Sequence, residues 1–342
     1  MTGGLAGQDP WSLLDRHVRI PLTRMPTPLQ HLPHLSARLG VQVAIKRDDL
    51  TDLALGGDKP RKLEYELAAP LRNGVDWLVG CGSAQSNFAR LLTAAARRLS
   101  LGCSLVLVRG EHPENQGNLL TVRVMGADVR LVDSEDLWDL DAQCLALCEE
   151  LRQHGHRPHY VPVSGTTPTS CLGYVRAGLE LAVQLDENRL EPDALYVPFG
   201  TGGIAAGIAV GLHAAGKQIR LIGCSVNRPA TTCVEQFDAL AAQIQSLLDA
   251  PPSRLQIEIR DDQLGDGYGK VTDDCLAAIA ELARTEGILL DPVYSGKVAA
   301  TLLADCQDKR WAPDANVVML HSGGVPALFA YHDEILHALG VP

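Results

Sequence analysis

Aromatic residues are scarce: Phe, Trp and Tyr make up 4% of the 342 residues. A tyrosine held in a stiff segment therefore stands out. Long hydrophobic runs are missing too. No apolar stretch reaches the roughly 18 to 20 residues that a membrane-spanning helix needs. The first ten residues, Met1 to Pro10, lack the basic-then-apolar order of a secretory leader. These absences predict a cytoplasmic protein with no membrane partner. Basic clusters are also lacking. Lys and Arg number 30 against 41 Asp and Glu, a net charge of -11, and no segment gathers positive charge. Such a surface repels phosphate backbones, so nucleic acid is not an expected partner. The nine cysteines include no CxxC pair and lie mostly in apolar segments, as reduced thiols do. Cys144, Cys148, His154, His156 and His159 are the densest group of metal-binding residue types. Their spacing does not define a tetrahedron, so the reading is a helix with buried thiols and a solvated end, and no metal.

What is present is a folded α/β pattern. Charged residues at 21% and apolar residues at 46% suit a globular chain. The length allows one large domain or two modest ones. Apolar runs predict strands at Val41 to Lys46, Trp77 to Gly80, Ser104 to Arg109, Val129 to Asp133, His159 to Val163, Ala194 to Pro198, Ile219 to Cys224 and Asn316 to His321. Helical periods cover Arg61 to Leu71, Asn87 to Leu99, Asn115 to Met125, Leu137 to His154, Leu172 to Leu185 and Ile204 to Ala215. Others cover Thr231 to Leu248, Asp273 to Thr285, Lys297 to Asp305 and Val325 to Leu339. Strands separated by crossover helices imply parallel sheets covered on both faces. Pro251 to Lys270, rich in Asp, Gly and Pro, reads as a long functional loop.

Ligands of open parallel sheets bind in the loops after the strands. Gly200-Thr201-Gly202-Gly203 follows one strand and opens a helix, so its N–H groups and the helix dipole can cradle a phosphate. The match to a dinucleotide fingerprint is loose, and Ser225-Val226-Asn227 after the next strand offers no acid for a ribose. Gly56-Gly57-Asp58-Lys59-Pro60 places a lysine behind two glycines at a helix entrance. Most lysines are solvated charges, but one sheltered in this way can become the amine of a Schiff base. Ser83-Ala84-Gln85-Ser86-Asn87 brings hydroxyls and amides to a helix start, where they can seize a carboxylate or simply cap the helix. Gly265-Asp266-Gly267-Tyr268-Gly269 and Asp291-Pro292-Val293-Tyr294-Ser295-Gly296-Lys297 each hold a tyrosine among turn residues, for a site or for packing. His321-Ser322-Gly323-Gly324 ends the last strand with the same small-ligand logic.

Taken in order, these segments resemble the D-cysteine desulfhydrase and 1-aminocyclopropane-1-carboxylate (ACC) deaminase group of fold type II pyridoxal-phosphate enzymes. The likeness runs from Pro26-Thr27-Pro28-Leu29 through Lys46-Arg47-Asp48-Asp49-Leu50 and the Lys59 segment to His321-Ser322-Gly323-Gly324. It implies a tryptophan synthase β-like fold, with residues 1–59 and 166–342 in a large cofactor-binding domain and 60–165 in a smaller inserted α/β domain. It also implies pyridoxal 5'-phosphate on Lys59. The phosphate would be held by Lys62, Gly200, Thr201, Gly202 and Gly203, and the rest of the cofactor by Asn87 and Ser322, the latter at the pyridine nitrogen. An amino-acid substrate would meet Gln85, Ser86, Asn87, Tyr268, Tyr294 and Ser295, with Lys59, Ser86, Tyr268 and Tyr294 catalytic. A homodimer is expected by the same analogy. Asp58 replaces a usual Asn, Phe88 a usual His or Gln, and Gly165-Thr166-Thr167-Pro168 a usual Gly-Ser pattern, which bear on the substrate more than on the cofactor. Hydroxyl residues at Ser295 and Ser322 side with the desulfhydrases. The implied reaction is β-elimination from a cysteine-like amino acid, giving pyruvate, ammonia and hydrogen sulfide. ACC ring opening, elimination from another β-substituted amino acid such as L-cysteate, and a non-catalytic small-molecule sensor are the alternatives.

Overall fold

The computed structural model describes residues 9–134 and 140–341. Most of the Met1 to Pro10 segment considered above, and the first residues of the helix expected from Leu137, lie outside them. The strands are β1 Leu29–His31, β2 Gln42–Arg47, β3 Trp77–Ser83, β4 Gly102–Val108, β5 Asp128–Val132, β6 Pro158–Val161, β7 Ala194–Phe199, β8 Arg220–Ser225, β9 Glu258–Arg260 and β10 Asn316–His321. They form a six-stranded sheet in the order β1-β2-β10-β7-β8-β9 and a four-stranded sheet in the order β5-β4-β3-β6. Every pairing is parallel except β1 with β2. The smaller sheet is drawn wholly from residues between Trp77 and Val161, and the larger takes strands from both sides of that stretch.

β7 shows why its sequence is apolar throughout: all six residues are buried. Leu195, Val197 and Phe199 face a core built on the helices Pro168–Glu187, Gly203–Ala214 and Ala230–Leu247. Ala194 and Tyr196 face the opposite core, with the helices Asp273–Glu286 and Ser295–Gln307. A strand covered on both faces has no polar side to alternate with. In the smaller sheet, Leu78 packs on one side with Leu91 and Leu92 of the helix Asn87–Arg98. Val79 and Cys81 pack on the other with Cys144 and Cys148 of the helix Asp141–Gln153. Those two cysteines are thus buried thiols, and the helix ends at the exposed His154.

Three expectations need correction. The helix expected over Arg61 to Leu71 is two helices, Lys59–Glu66 and Ala68–Arg72. Pro70 has no N–H to give to Glu66, so the ladder breaks there. Val325 to Leu339 likewise divides into a 3-10 turn, Val325–Phe329, and a helix, His332–Ala338. The segment Pro251 to Lys270 is not all loop, because β9 lies within it. β1 and β9 are edge strands of three residues each, too short to show a period of two.

Candidate active site

Lys59 is seated by backbone geometry. Gly56 has φ 70°, and a methyl group on it would lie 1.8 Å from the Asp49 carbonyl oxygen, so only glycine fits. Gly57 N–H donates to Thr51 Oγ1 at 2.8 Å, and Thr51 Oγ1 donates to the Gly57 carbonyl at 2.7 Å. Asp58 N–H donates to the Ser322 carbonyl at 2.9 Å, which ties this turn to the end of β10. Lys59 then opens the helix Lys59–Glu66, with its Nζ 2.5 Å from Asp58 Oδ2 and 5.9 Å from the centre of the Tyr294 ring. Both members of the Lys59–Asp58 pair are buried. The helix is anchored two residues later, at Arg61. Arg61 donates to both oxygens of Asp48 at 2.8 Å, and to Glu180 at 2.9 and 3.0 Å. Lys46 reaches Glu180 at 2.5 Å, and the Tyr174 hydroxyl donates to Asp48 at 2.9 Å. Burial, the largest single influence, opposes ionisation of Asp48 and Glu180, but Arg61 and Lys46 together outweigh it and hold both below the ordinary carboxylate range. The Lys46-Arg47-Asp48-Asp49 segment thus supplies half of a buried charge cluster beneath Lys59.

The glycine loop after β7 forms one lobe of the cavity at Lys59. Gly202, at φ 78°, is the cap of the helix Gly203–Ala214 and offers no side chain to the first amides. Lys62 points into this lobe: a methyl on Gly203 would lie 3.0 Å from its Nζ. Lys62 Nζ donates to Thr166 Oγ1 at 2.8 Å, and Thr166 Oγ1 is 2.6 Å from Thr201 Oγ1. Burial, and next the charge of Lys59, push Lys62 down to about 8. A buried ammonium whose hydrogen-bond partner is a neutral hydroxyl, opposite bare helix amides, fits a phosphate group. Asn87, Ser322 and Tyr294 line the same lobe.

A second lobe shares Lys59, Asn87, Gly200, Thr201, Ser164 and Tyr294 with the first and adds Cys81, Ser83, Ser86, Phe88, Asn227 and Tyr268. Ser86 Oγ accepts from Ala89 N–H at 3.2 Å, so it caps the helix Asn87–Arg98 and also lines the lobe. Asn87 is oriented from behind: its Oδ1 accepts from Asn118 Nδ2 at 2.8 Å, and Asn118 Oδ1 accepts from Arg90 Nε at 2.7 Å. The hydroxyls of Tyr268 and Tyr294 are 2.8 Å apart and their rings meet edge to face. Burial raises both phenols above their ordinary range, so both carry their protons at neutral pH. Tyr294 is fixed by Asp291, whose carboxylate accepts from the N–H groups of Val293, Tyr294 and Ser295 at 2.7 to 3.0 Å.

Two residues expected at the substrate line neither lobe. Ser295 is fully buried, donates to Asp291 Oδ1 at 2.6 Å and accepts from Asp291 N–H at 2.8 Å. Gln85 accepts from Asn118 N–H at 2.9 Å and donates to the carbonyls of His112 and Gln116. Each spends its hydrogen-bonding capacity inside the protein. Thr166, Asn118, Arg90 and Asn227 are the residues that sequence reading did not single out. The Gly-Thr-Thr-Pro departure was the one signal that pointed at Thr166.

A buried lysine at a helix entrance, facing an anion cradle at a second helix start and lodged between a large and a small parallel sheet, defines a fold type II α/β enzyme for a phosphorylated cofactor. A model of the family described as "Pyridoxal-phosphate dependent enzyme" matches residues 20–323, and the chain belongs to that family. It uses pyridoxal phosphate. The chain is 38% identical over 327 residues to proteins named D-cysteine desulfhydrase from Klebsiella pneumoniae and Salmonella newport, covering 94% of this chain and 98% of each relative. Among solved structures it resembles an ACC deaminase homologue, with a TM-score of 0.88, 34% identity, and 96% and 98% of the two chains covered. Threonine deaminase isoform 2 from Solanum lycopersicum, at 21% identity and TM-score 0.69, shares the fold.

Proposed function

We propose that the protein is a β-eliminating carbon–sulfur lyase acting on D-cysteine, with Lys59 carrying the cofactor. The observation that carries this reading is the protonated tyrosine pair, its hydroxyls 2.8 Å apart, which lines the same lobe as Lys59. When bound, pyridoxal phosphate supplies the electron sink for the carbanion next to the substrate nitrogen. The protein does the rest. Lys62 and the amides after Gly202 hold the phosphate. Ser86 and the free N–H groups of its helix receive the substrate carboxylate. Lys59 Nζ takes the α-proton. The carbon–sulfur bond then breaks, sulfur leaves with the electron pair, and the Tyr268–Tyr294 pair gives it a proton. The enamine, once free, takes up water to yield pyruvate and ammonia.

Among the described residues, Lys59 is the sole charged residue lining the second lobe. A sulfonate there would meet no cation besides Lys59, the residue proposed to carry the cofactor, which disfavours cysteate. The name of the 34%-identical structure keeps ACC ring opening as the second reading. With Ser295 buried against Asp291, the choice rests on the 38%-identical relatives and on the tyrosine pair. Incubation with D-cysteine, L-cysteine, L-cysteate and ACC, with keto acid and sulfide measured, tests it: the expected result is pyruvate and sulfide in equal amounts, fastest from D-cysteine. Equal or faster turnover of ACC refutes it. We also infer a cytoplasmic location, in keeping with nine free cysteines, and a homodimer by analogy with the family alone. We further infer a division into a large domain (1–59, 166–342) and a small one (60–165), which the membership of the two sheets supports.

A further inference from the structure

The second lobe contains one side chain that nothing in the protein satisfies. Asn227 follows β8 and lines the lobe with Lys59, Tyr268 and Tyr294. Its Oδ1 and Nδ2 are both shut off from solvent and have no hydrogen-bond partner. A carboxamide offers two donors and an acceptor, and burying it unpaired disfavours the ligand-free state. The turn does not need this amide to hold its shape. Ser225 Oγ closes it by donating to the Arg228 carbonyl at 2.6 Å and accepting from Arg228 N–H at 3.3 Å. The position is also informative. Gly200 lies between the two elements: a methyl on it would be 3.6 Å from the Tyr294 ring and 3.8 Å from Val226. Asn227 therefore belongs to the large-sheet wall that carries the proton-donating tyrosines, whereas Ser86 enters from the small sheet.

We propose that Asn227 determines specificity by hydrogen-bonding the β-substituent of the substrate. This deepens the β-elimination reading and rests on it. The carboxamide selects neutral β-substituents that can hydrogen-bond, such as thiols and O-acyl groups. Its Nδ2–H donates to the leaving atom as the bond to the β-carbon breaks and that atom takes the electron pair; the proton itself comes from the tyrosine pair. A poor leaving group depends on this donation, and a halide, which departs readily and accepts hydrogen bonds weakly, does not.

The test compares D-cysteine, O-acetyl-D-serine and β-chloro-D-alanine in the holoenzyme and in Asn227→Leu, which keeps the volume and removes the polar atoms. The expected result is a fall in kcat/KM of about tenfold or more for the first two, the loss of one hydrogen bond to the transition state, with β-chloro-D-alanine little changed. Asn227→Ser, which restores a hydroxyl, recovers part of the loss. The melting temperature of the ligand-free Asn227→Leu protein equals or exceeds that of the wild type, since no bond within the protein is lost. A uniform loss across all three substrates, no loss for any, or a clear drop in melting temperature overturns the proposal. If the wild type releases pyruvate from none of the three, the β-elimination reading itself falls; if it does so and the variant shows no discrimination, only the role of Asn227 falls.

Discussion

Replacing Arg90 with methionine removes a buried cation that ties Lys59's turn to Asn87. Arg90 Nε donates to Asn118 Oδ1 at 2.7 Å, one terminal nitrogen donates to the Gly56 carbonyl at 3.0 Å, and the other donates to the Ala54 carbonyl. Burial pushes its pKa down to about 10, so it stays charged at neutral pH. Methionine keeps the apolar stem but leaves three buried acceptors unpaired. Hydrogen bonds to a charged group contribute about 1.5–3 kcal/mol each. Against that, a cation with no direct carboxylate partner among the described residues no longer has to be desolvated, which returns several kcal/mol. The net destabilisation is about 2–4 kcal/mol, roughly 3–6 °C in melting temperature for a chain of this size. The loss in kcat on D-cysteine should exceed what partial unfolding explains, because Asn118 and Asn87 lose their reference together with the Ala54–Gly57 turn. Melting curves of cofactor-free and loaded protein, with kcat at a temperature where both variants are folded, provide the measurement. Asn118→Ala and the double variant complete a cycle in which the two effects are expected to be less than additive. If Arg90→Met melts within about 1 °C of the wild type and turns over at the wild-type rate, the relay does not exist.

Lys59→Ala should prevent borohydride from linking cofactor to the chain; peptide mapping that finds the label on Lys62 or Lys297 in the wild type would refute the assignment. Gly202→Val forces a β-branched residue to φ 78° with its Cβ 3.0 Å from the Phe199 ring, and it blocks the first amides of the cradle. Cofactor affinity should fall on the order of a hundredfold, the loss of about 3 kcal/mol of charge-assisted bonding; unchanged affinity in a folded variant, by dialysis and absorbance, contradicts the cradle. Burial pushes Lys62 down to about 8, and in the proposed site it holds phosphate when charged. Affinity of the cofactor-free protein for inorganic phosphate is therefore highest below that pH and weakens as pH rises through it, and Lys62→Met removes this dependence. A calorimetric affinity that is flat from about pH 7 to 10 refutes it. The same depressed pKa makes the unfolded chain hold more protons between about 8 and 10.5, so this group's contribution to stability rises with pH across that window.

What was legible in the sequence was whatever depends on neighbours along the chain. The parallel strands are continuous apolar runs because both faces are buried, and the Gly-rich turns announce themselves through residues that tolerate positive φ. The scarcity of aromatics made Tyr268 and Tyr294 conspicuous, and they do meet. The misses share a different cause. Gln85 and Ser295 are chemically able to bind a substrate, but their hydrogen bonds go to Asn118, His112, Gln116 and Asp291, and no local pattern reveals how a side chain's capacity is spent. Thr166 bonds a lysine 104 positions away, and Arg90 reaches back 34 to Gly56. Such pairings exist only once the sheets have closed on one another.

The placement of Lys59 explains why these distant pairings converge on it. Its helix belongs to both cores: Tyr65 packs in the large one with Leu172 and Val175, and Leu63 packs in the small one with Leu78 and Leu92. Arg61 binds the helix to the turn after β2 and to the helix Pro168–Glu187 through Asp48 and Glu180, while Arg90 of the helix Asn87–Arg98 holds the turn just before it. Any shift of one sheet against the other must therefore pass through Lys59, and the same shift moves Ser86 and Asn87 relative to the glycine cradle. A lysine on the outer face of either sheet would be free of that coupling. Lodged in the seam, its amine is registered against the proposed phosphate site by the large sheet and against the proposed carboxylate site by the small one. Proton transfer at a single carbon requires both registers at once.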